Sequence, residues 1–343
     1  MIKIKNIYYM LCYVFQNLQQ SKYKTCEIEN FDNARDLFAE ILIKGISQEL
    51  KKGLGKEYIL KQTQLSNPKG KFNITESIKN LAIQKKQLVC DYDEFSINSY
   101  LNKIIKTTSI LLIKSDISLE RKKLLKRLMI YFNEVEELNP FTINWKIQFN
   151  KNNQTYKMLI HICWLVIKGL IQSNDNGQFK INDFIDEQRM CRLYEKFILE
   201  FYKKEYPSLK VSSSQIKWAL DDDDDDYMLP LMQSDIMIET KNKVLIVDAK
   251  YYEHSTQKRF NTITLHSNNL YQIYTYVKNK SVCGKQVSGV LLYAKTNETV
   301  LPNKSYLMDG NKISAITLDL NCDFKDIKQQ LFGIINEHNL LKD

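Results

Sequence analysis

Pro230-Leu-Met-Gln-Ser-Asp235-Ile-Met-Ile-Glu-Thr240-Lys-Asn-Lys-Val-Leu-Ile-Val-Asp248-Ala-Lys250 places two largely apolar runs around a polar centre, Thr240 to Lys243. A turn in that centre folds the runs back on one another as an antiparallel hairpin. If it is centred between Lys241 and Asn242, Asp235 lies directly opposite Asp248. Strand side chains alternate between faces, so Asp248 and Lys250, two apart, share that face. Two carboxylates and an ammonium therefore meet at the end of an apolar strand, where uncompensated charge is costly to bury.

A divalent cation would supply the compensation. Asp235 and Asp248 offer hard oxygen ligands and Ala249 a backbone carbonyl, a donor set suited to Mg2+, with Mn2+ as a substitute, that leaves positions for water and a phosphate oxygen. Lys250 would orient or deprotonate the attacking water and offset charge in the transition state. Upstream, Leu193, Tyr194, Phe197, Ile198 and Phe201 form the apolar stripe of a helix over residues 186–206, leaving Glu195 outside its centre and able to approach the metal from the side. Downstream, Gln272 and Tyr276 are i, i+4 on a helix over residues 268–278, where both could touch the metal-bound phosphate or the DNA backbone. Lys258 and Arg259 follow the second strand and could contact phosphates. Each residue alone has a plainer reading: an ordinary Asp–Lys pair at a solvated strand end, a solvated Glu195, a Tyr276 buried beside Ile273, an exposed loop for Lys258 and Arg259.

Farther out, 343 residues with 44% hydrophobic and 26% charged composition suit a folded chain of two domains. The net charge of +9 includes six consecutive aspartates at 221–226, so the remainder carries +15, a balance suited to a polyanion such as double-stranded DNA or simply to a lysine-rich surface. Seven scattered cysteines without a C-x-x-C pair fit a reducing cytoplasm and offer neither a zinc site nor a disulfide frame. The longest apolar run, 159–171, is interrupted by His161 and Lys168 and is too short to span a membrane. The apolar stretch 7–15 follows two lysines but lacks a small-residue cleavage site and reads as mature protein.

Residues 34–52 place Leu37, Phe38, Ile41, Leu42 and Ile46 at helical spacing, with Asp32 as a cap and Gly53 as a stop. Turn signals at Asn67-Pro68 and Gly70 precede a short strand. Helices are expected over 99–113 and 116–138, the second with Arg121, Lys122, Lys123, Lys126 and Arg127 near its start, more usually a solvated face than a DNA contact. A strand-like patch after Pro140, a buried helix over 156–171 and a polar break at 173–177 follow. We place the boundary between an N-terminal domain, 1–155, and a C-terminal domain, 156–343, in this stretch. The first 150 residues carry 24 Lys plus Arg against 16 Asp plus Glu (+8), the rest 25 against 24 (+1). Beyond the boundary, a helix over 186–206, strands over 231–239 and 244–251, a helix over 268–278 and a strand over 288–294 predict an α/β unit.

This arrangement resembles the PD-(D/E)xK nuclease superfamily, with Ser234-Asp235 in place of Pro-Asp, Asp248-Ala249-Lys250 as the D-x-K element, and Gln272 and Tyr276 in the Q-x-x-x-Y spacing of RecB-type nucleases. The whole chain is also similar to the McrC family, nuclease subunits of McrBC modification-dependent restriction systems. The strings that carry this are Asn6-Ile-Tyr-Tyr-Met-Leu11, Leu193-Tyr-Glu-Lys-Phe197, Leu245-Ile-Val-Asp-Ala-Lys-Tyr-Tyr252 and Asn269-Leu-Tyr-Gln272, from near Lys5 to the last helix. The resemblance implies a restriction-endonuclease-like C-terminal domain with a mixed sheet flanked by helices, preceded by a mainly helical α+β domain that docks on a ring of McrB-like AAA+ GTPase subunits and stimulates it. It also implies that the partner reads methylated DNA. The chain has no G-x-x-x-x-G-K-[ST] loop of its own. The aspartate run has no counterpart in the family pattern and is expected in a solvated loop. Two other readings remain open from the residues: a site-specific system that cuts unmethylated DNA, and a non-enzymatic adaptor of the AAA+ ring.

Overall fold

The structure, a computed structural model, describes residues 2–15, 18, 31, 33–149, 153–173, 179–181, 187–221, 227–252, 254–259, 262–282, 284–295 and 298–341. Two compact units emerge, residues 35–184 and residues 1–34 together with 185–343. The boundary near residue 155 is thus corrected at both ends. Helix α1 (Ile4–Val14) buries Ile7, Tyr8, Met10 and Leu11 and packs on a helix beyond residue 185, so it belongs with the C-terminal sheet. The helix that begins at Gln154 belongs instead to the other unit.

In the unit 35–184, α2 (Ala34–Lys52) buries the five apolar residues of its expected stripe and is followed by Gly53 at φ +87. Asp32, its expected cap, lies outside the described residues. Strands β1 (Glu57–Leu65), β2 (Lys71–Phe72) and β3 (Leu88–Ser96) form an antiparallel sheet with β3 in the centre. Gly70 before β2 has φ +73, and a Cβ there would lie 2.4 Å from the Asp91 carbonyl oxygen, so this turn requires glycine. Helices α3 (Ile74–Lys79), α4 (Tyr100–Lys114) and α5 (Leu119–Met129) are each N-capped by a side chain, from Asn73, Ser99 and Ser118. Helix α5 is shorter than expected, giving way to a 3-10 turn at Ile130–Phe132.

Arg121 leaves the basic face proposed for it. It is 7% exposed, its guanidinium 2.9 Å from Asp36 and 3.2 Å from Glu40, whereas Lys123, Lys126 and Arg127 are exposed. The patch after Pro140 forms no strand over the described residues 140–149. Helix α6 (Gln154–Leu170) packs on α4. A short pair, β4 (Ile171–Ser173) and β5 (Phe179–Ile181), closes the unit, and most of the polar break at 173–177 lies outside the described residues.

The other unit is α/β. After α7 (Glu187–Glu205) come β6 (Lys210–Ser212), β7 (Gln215–Ile216), β8 (Met232–Gln233), β9 (Ile236–Glu239) and β10 (Lys243–Lys250). A hairpin of β11 (Thr256–Arg259) and β12 (Thr262–Leu265) leads into α8 (Ser267–Ser281), followed by β13 (Gln286–Ala294), β14 (Lys304–Met308), β15 (Asn311–Leu318) and α9 (Phe324–Glu337). The six-stranded mixed sheet has the order β14-β15-β13-β10-β9-β6, with β10, β13 and β15 parallel and the other neighbours antiparallel.

On one face Val244, Ile246, Val287 and Leu291 pack with Ile273 and Val277 of α8. Gly289 lets that helix approach, since a Cβ there would stand 2.8 Å from both Ile273 and Val277. Helix α7 packs on β10 as well, and its aromatic stripe gathers α1 and α9: Tyr13 and Phe324 stack around Phe197, and Phe332 around Phe201. Of the aspartate run only Asp221 is described, and it is exposed. No described helix is long and apolar enough to cross a membrane.

Candidate active site

The hairpin register is the one its polar centre demands. Val244 pairs with Glu239 and Val247 with Ile236, so continuing the ladder by one step sets Asp248 opposite Asp235. The strand expected over 231–239 is interrupted at Ser234-Asp235, between β8 and β9. Ser234 fills the interruption: 1% exposed, it donates from its backbone nitrogen and its hydroxyl to the Ser214 carbonyl at 3.0 and 2.9 Å, while Ser213 Oγ donates to its carbonyl at 2.8 Å. Released from the ladder, Asp235 turns inward and accepts from the Ala249 backbone nitrogen at 2.9 Å through Oδ2.

Asp248 and Lys250 continue the face that Val244 and Ile246 present to α8. Asp248 is 2% exposed, and its Oδ2 lies 2.8 Å from Lys250 Nζ. That contact is an ion pair without hydrogen-bond alignment, so Oδ2 receives no directed hydrogen bond. Lys250 Nζ donates instead to Gln272 Oε1 at 3.2 Å, and Gln272 Nε2 donates to Tyr276 Oη at 2.9 Å.

Burial first, then the charges of Asp248 and Glu195, push the Asp235 carboxyl up to about 8. Burial acts to lower the Lys250 ammonium, but the Asp248 carboxylate more than offsets it and the lysine is raised, keeping its charge. The raised Asp235 carboxyl holds its proton beside the ammonium, and releasing that proton would leave more carboxylate than one ammonium balances.

Not every expected residue joins the cluster. Glu195 on α7 is near enough to act on Asp235, yet its Oε1 accepts from Cys191 Sγ at 3.0 Å. Among the described residues no three His, Cys, Asp or Glu side chains converge as a metal-binding group, so Glu195 stands beside the two aspartates rather than with them. The Cys191 thiol is pushed up to about 12 by burial and then by Glu195, which keeps it a neutral donor. Tyr276 is 7% exposed within the α8 core cluster, which removes it from direct DNA contact and makes it the anchor of Gln272. Lys258 and Arg259 fall on β11, paired with Ile263 and Thr262 across the hairpin, and their side chains lie outside the described residues.

Three features of the site were not expected from the sequence: the Ser213-Ser214 clamp on Ser234, the Cys191–Glu195 pair, and, on α8, Asn269 with its partners Tyr252 and Tyr293. Only the last left a trace, since Asn269, Gln272 and Tyr276 are i, i+3 and i+7 and so share one helix face.

A mixed α/β sheet whose central hairpin ends in a buried carboxylate, a second, partly buried carboxyl and a charged lysine defines the class. The family described as McrBC 5-methylcytosine restriction system component matches residues 3–294. The chain is 30% identical over 346 residues, 98% of each chain, to the type IV methyl-directed restriction enzyme EcoKMcrBC of Escherichia coli strain K12. It belongs to that family, as an McrC-type component of an McrBC restriction system. Among solved structures, the assembly of Thermococcus gammatolerans McrB AAA+ hexamers with bound McrC aligns over 88% of this chain and 68% of its own, at 19% identity and a TM-score of 0.46. The T. gammatolerans McrBC complex aligns over 57% and 56%, at 17% identity and a TM-score of 0.40.

Proposed function

We propose that this chain is the DNA-cleaving subunit of its restriction system, a PD-(D/E)xK nuclease that hydrolyses phosphodiester bonds of double-stranded DNA with Mg2+, for which Mn2+ can substitute. The observation that carries this reading is Asp248: a carboxylate oxygen nine-tenths and more buried, with no directed hydrogen bond, facing a second, partly buried carboxyl and a charged lysine at one strand end. The residues present fit a hard divalent cation: Asp235 and Asp248 set carboxylate oxygens at one strand end, the Ala249 carbonyl would add a third, and loss of the Asp235 proton would leave negative charge in excess there. When bound, the metal ion would lower the pKa of a water and polarise the phosphate.

The chain's own residues would do the rest. Asp235 and Asp248 hold the cation, and Asp235 gives up its proton to do so. Lys250 orients the attacking water and offsets charge on the phosphate, a role suited to an ammonium that stays protonated. Gln272, held by Tyr276, fixes the lysine. Glu195, restrained by Cys191, adds negative potential from the side. Lys258 and Arg259 remain candidates for DNA phosphate contacts.

The second part of the proposal is that the unit 35–184 docks on a McrB-like AAA+ GTPase ring and stimulates it. Its sheet and α3 support this, since Tyr58, Leu60, Phe72, Ile74, Ile78 and Phe95 are each more than half exposed, a concentration of apolar surface typical of interaction sites. Asp248→Ala tests both parts in the assembled complex. Cleavage should fall on the order of 10²-fold or more while the partner's nucleotide hydrolysis stays at its parental rate. Parental cleavage by this variant would overturn the nuclease reading and leave an adaptor.

A further inference from the structure

Beyond the residues of the hairpin, the strand β10 runs on into Tyr251-Tyr252, and the two tyrosines part company. Tyr251 turns to α7, its ring 6.1 Å from that of Tyr194. Tyr252 takes the face of Asp248 and Lys250, packing at the margin of the α8 core cluster and edge-on to His266, with ring centroids 5.7 Å apart. It is half-buried, so its ring is held and part of its edge is open.

Its hydroxyl donates to Asn269 Oδ1 at 3.4 Å, and Asn269 Nδ2 donates to Tyr293 Oη at 3.2 Å. Asn269 is 6% exposed and Tyr293 0%, and Tyr293 stands beside Lys250 in the β10–β13 register. An amide is costly to bury without partners, and here both ends are used. The chain Tyr293–Asn269–Tyr252 therefore starts in the core and ends on the one member with solvent access, directed beside the charged cluster. Its last link is long, which leaves the Tyr252 hydroxyl able to give its proton to a better acceptor. A phosphodiester oxygen brought to Lys250 would be such an acceptor, since hydrogen bonds to an anion are the stronger ones.

We propose that Tyr252 is a further substrate-contacting residue of this site, donating to a non-bridging phosphate oxygen, and that Asn269 is the residue that positions it. The inference rests on the nuclease reading above. Its test compares Tyr252→Phe, Asn269→Ala and the double variant in the full complex, measuring kcat and KM for DNA cleavage, the thermal unfolding midpoint and the partner's nucleotide hydrolysis.

Tyr252→Phe should lower kcat about tenfold or more, with unfolding and nucleotide hydrolysis unchanged, because one donor to the developing charge is lost. Asn269→Ala should lower kcat to a similar extent, and the double variant should lose no more than the worse single, as expected of residues acting through one contact. If Asn269→Ala does not fold, Tyr293→Phe takes its place, removing only the hydroxyl that anchors the amide. Parental cleavage by Tyr252→Phe overturns the proposal. A double-variant loss equal to the product of the singles overturns the positioning role of Asn269. Parental cleavage by Asp248→Ala would overturn the nuclease reading itself, so the two failures are distinguishable.

Discussion

His338, which follows α9, is 8% exposed, with Nδ1 3.0 Å from Ser288 Oγ and Nε2 3.4 Å from Ser314 Oγ. Burial first, then Lys312, pull its pKa from 6.5 down to about 4, with Glu337 opposing. The unfolded chain therefore takes up a proton at a higher pH than the folded one. The stability that depends on a neutral His338 is fully present above about pH 6.5, is lost as pH falls toward 4, and changes no further below that. The gap corresponds to about 3 kcal/mol. Urea unfolding of the parent and of His338→Gln at pH 7 and pH 4.5 checks this: the parent should lose more stability than the variant by an amount of that order. Equal losses would mean that the imidazole titrates normally.

Helix α8 carries Asn269 and Gln272 to the strand end only because β13 has no side chain at Gly289. Gly289→Ala would set a methyl group 2.8 Å from Ile273 and Val277, forcing the helix outward or the two side chains off their rotamers at a cost of about 1–3 kcal/mol. Calorimetry should show a lower unfolding midpoint, and cleavage should fall as well, because the amides move with the helix. A variant that unfolds early yet cuts at the parental rate would show that the placement of α8 does not matter to the site. The hairpin behaves differently: a slip of one residue would turn Asp248 and Lys250 to the α7 face and set Ala249 in their place toward α8, so register and chemistry are the same constraint.

The C-terminal sheet is completed by the first helix of the chain. Tyr13 lies edge-on to Phe197, and Asn6 donates to the carbonyls of Leu320 and Cys322 at 2.8 and 2.9 Å. Removing residues 1–14 would expose the aromatic stripe of α7 and withdraw Ile7, Tyr8, Met10 and Leu11 from the core, a loss on the order of 5 kcal/mol. Such a chain should lose or sharply lower the unfolding transition of the sheet-bearing unit in calorimetry, and a synthetic peptide of residues 1–14 should restore it in part. An unchanged transition would show that α1 is an appendage.

Much of this could be read in one dimension. A polar tetrapeptide between apolar runs and a side-chain period of two are local properties, and they were enough to pair Asp235 with Asp248 and to place Lys250 beside them. Helical spacing likewise found α2, α4, α6, α7 and α8, and the motif strings pointed to the family that the chain proved to belong to. Burial is different in kind. Arg121 is a core ion-pair partner because Asp36, 85 positions earlier, accepts from its guanidinium in a buried place; Tyr276 is an anchor because the α8 face is covered; Glu195 answers to Cys191; and Tyr252 is aimed by an asparagine and a tyrosine from two other elements. Whether a group is solvated, charged or free to meet a phosphate depends on which distant segments close around it, and that follows only from the packed chain.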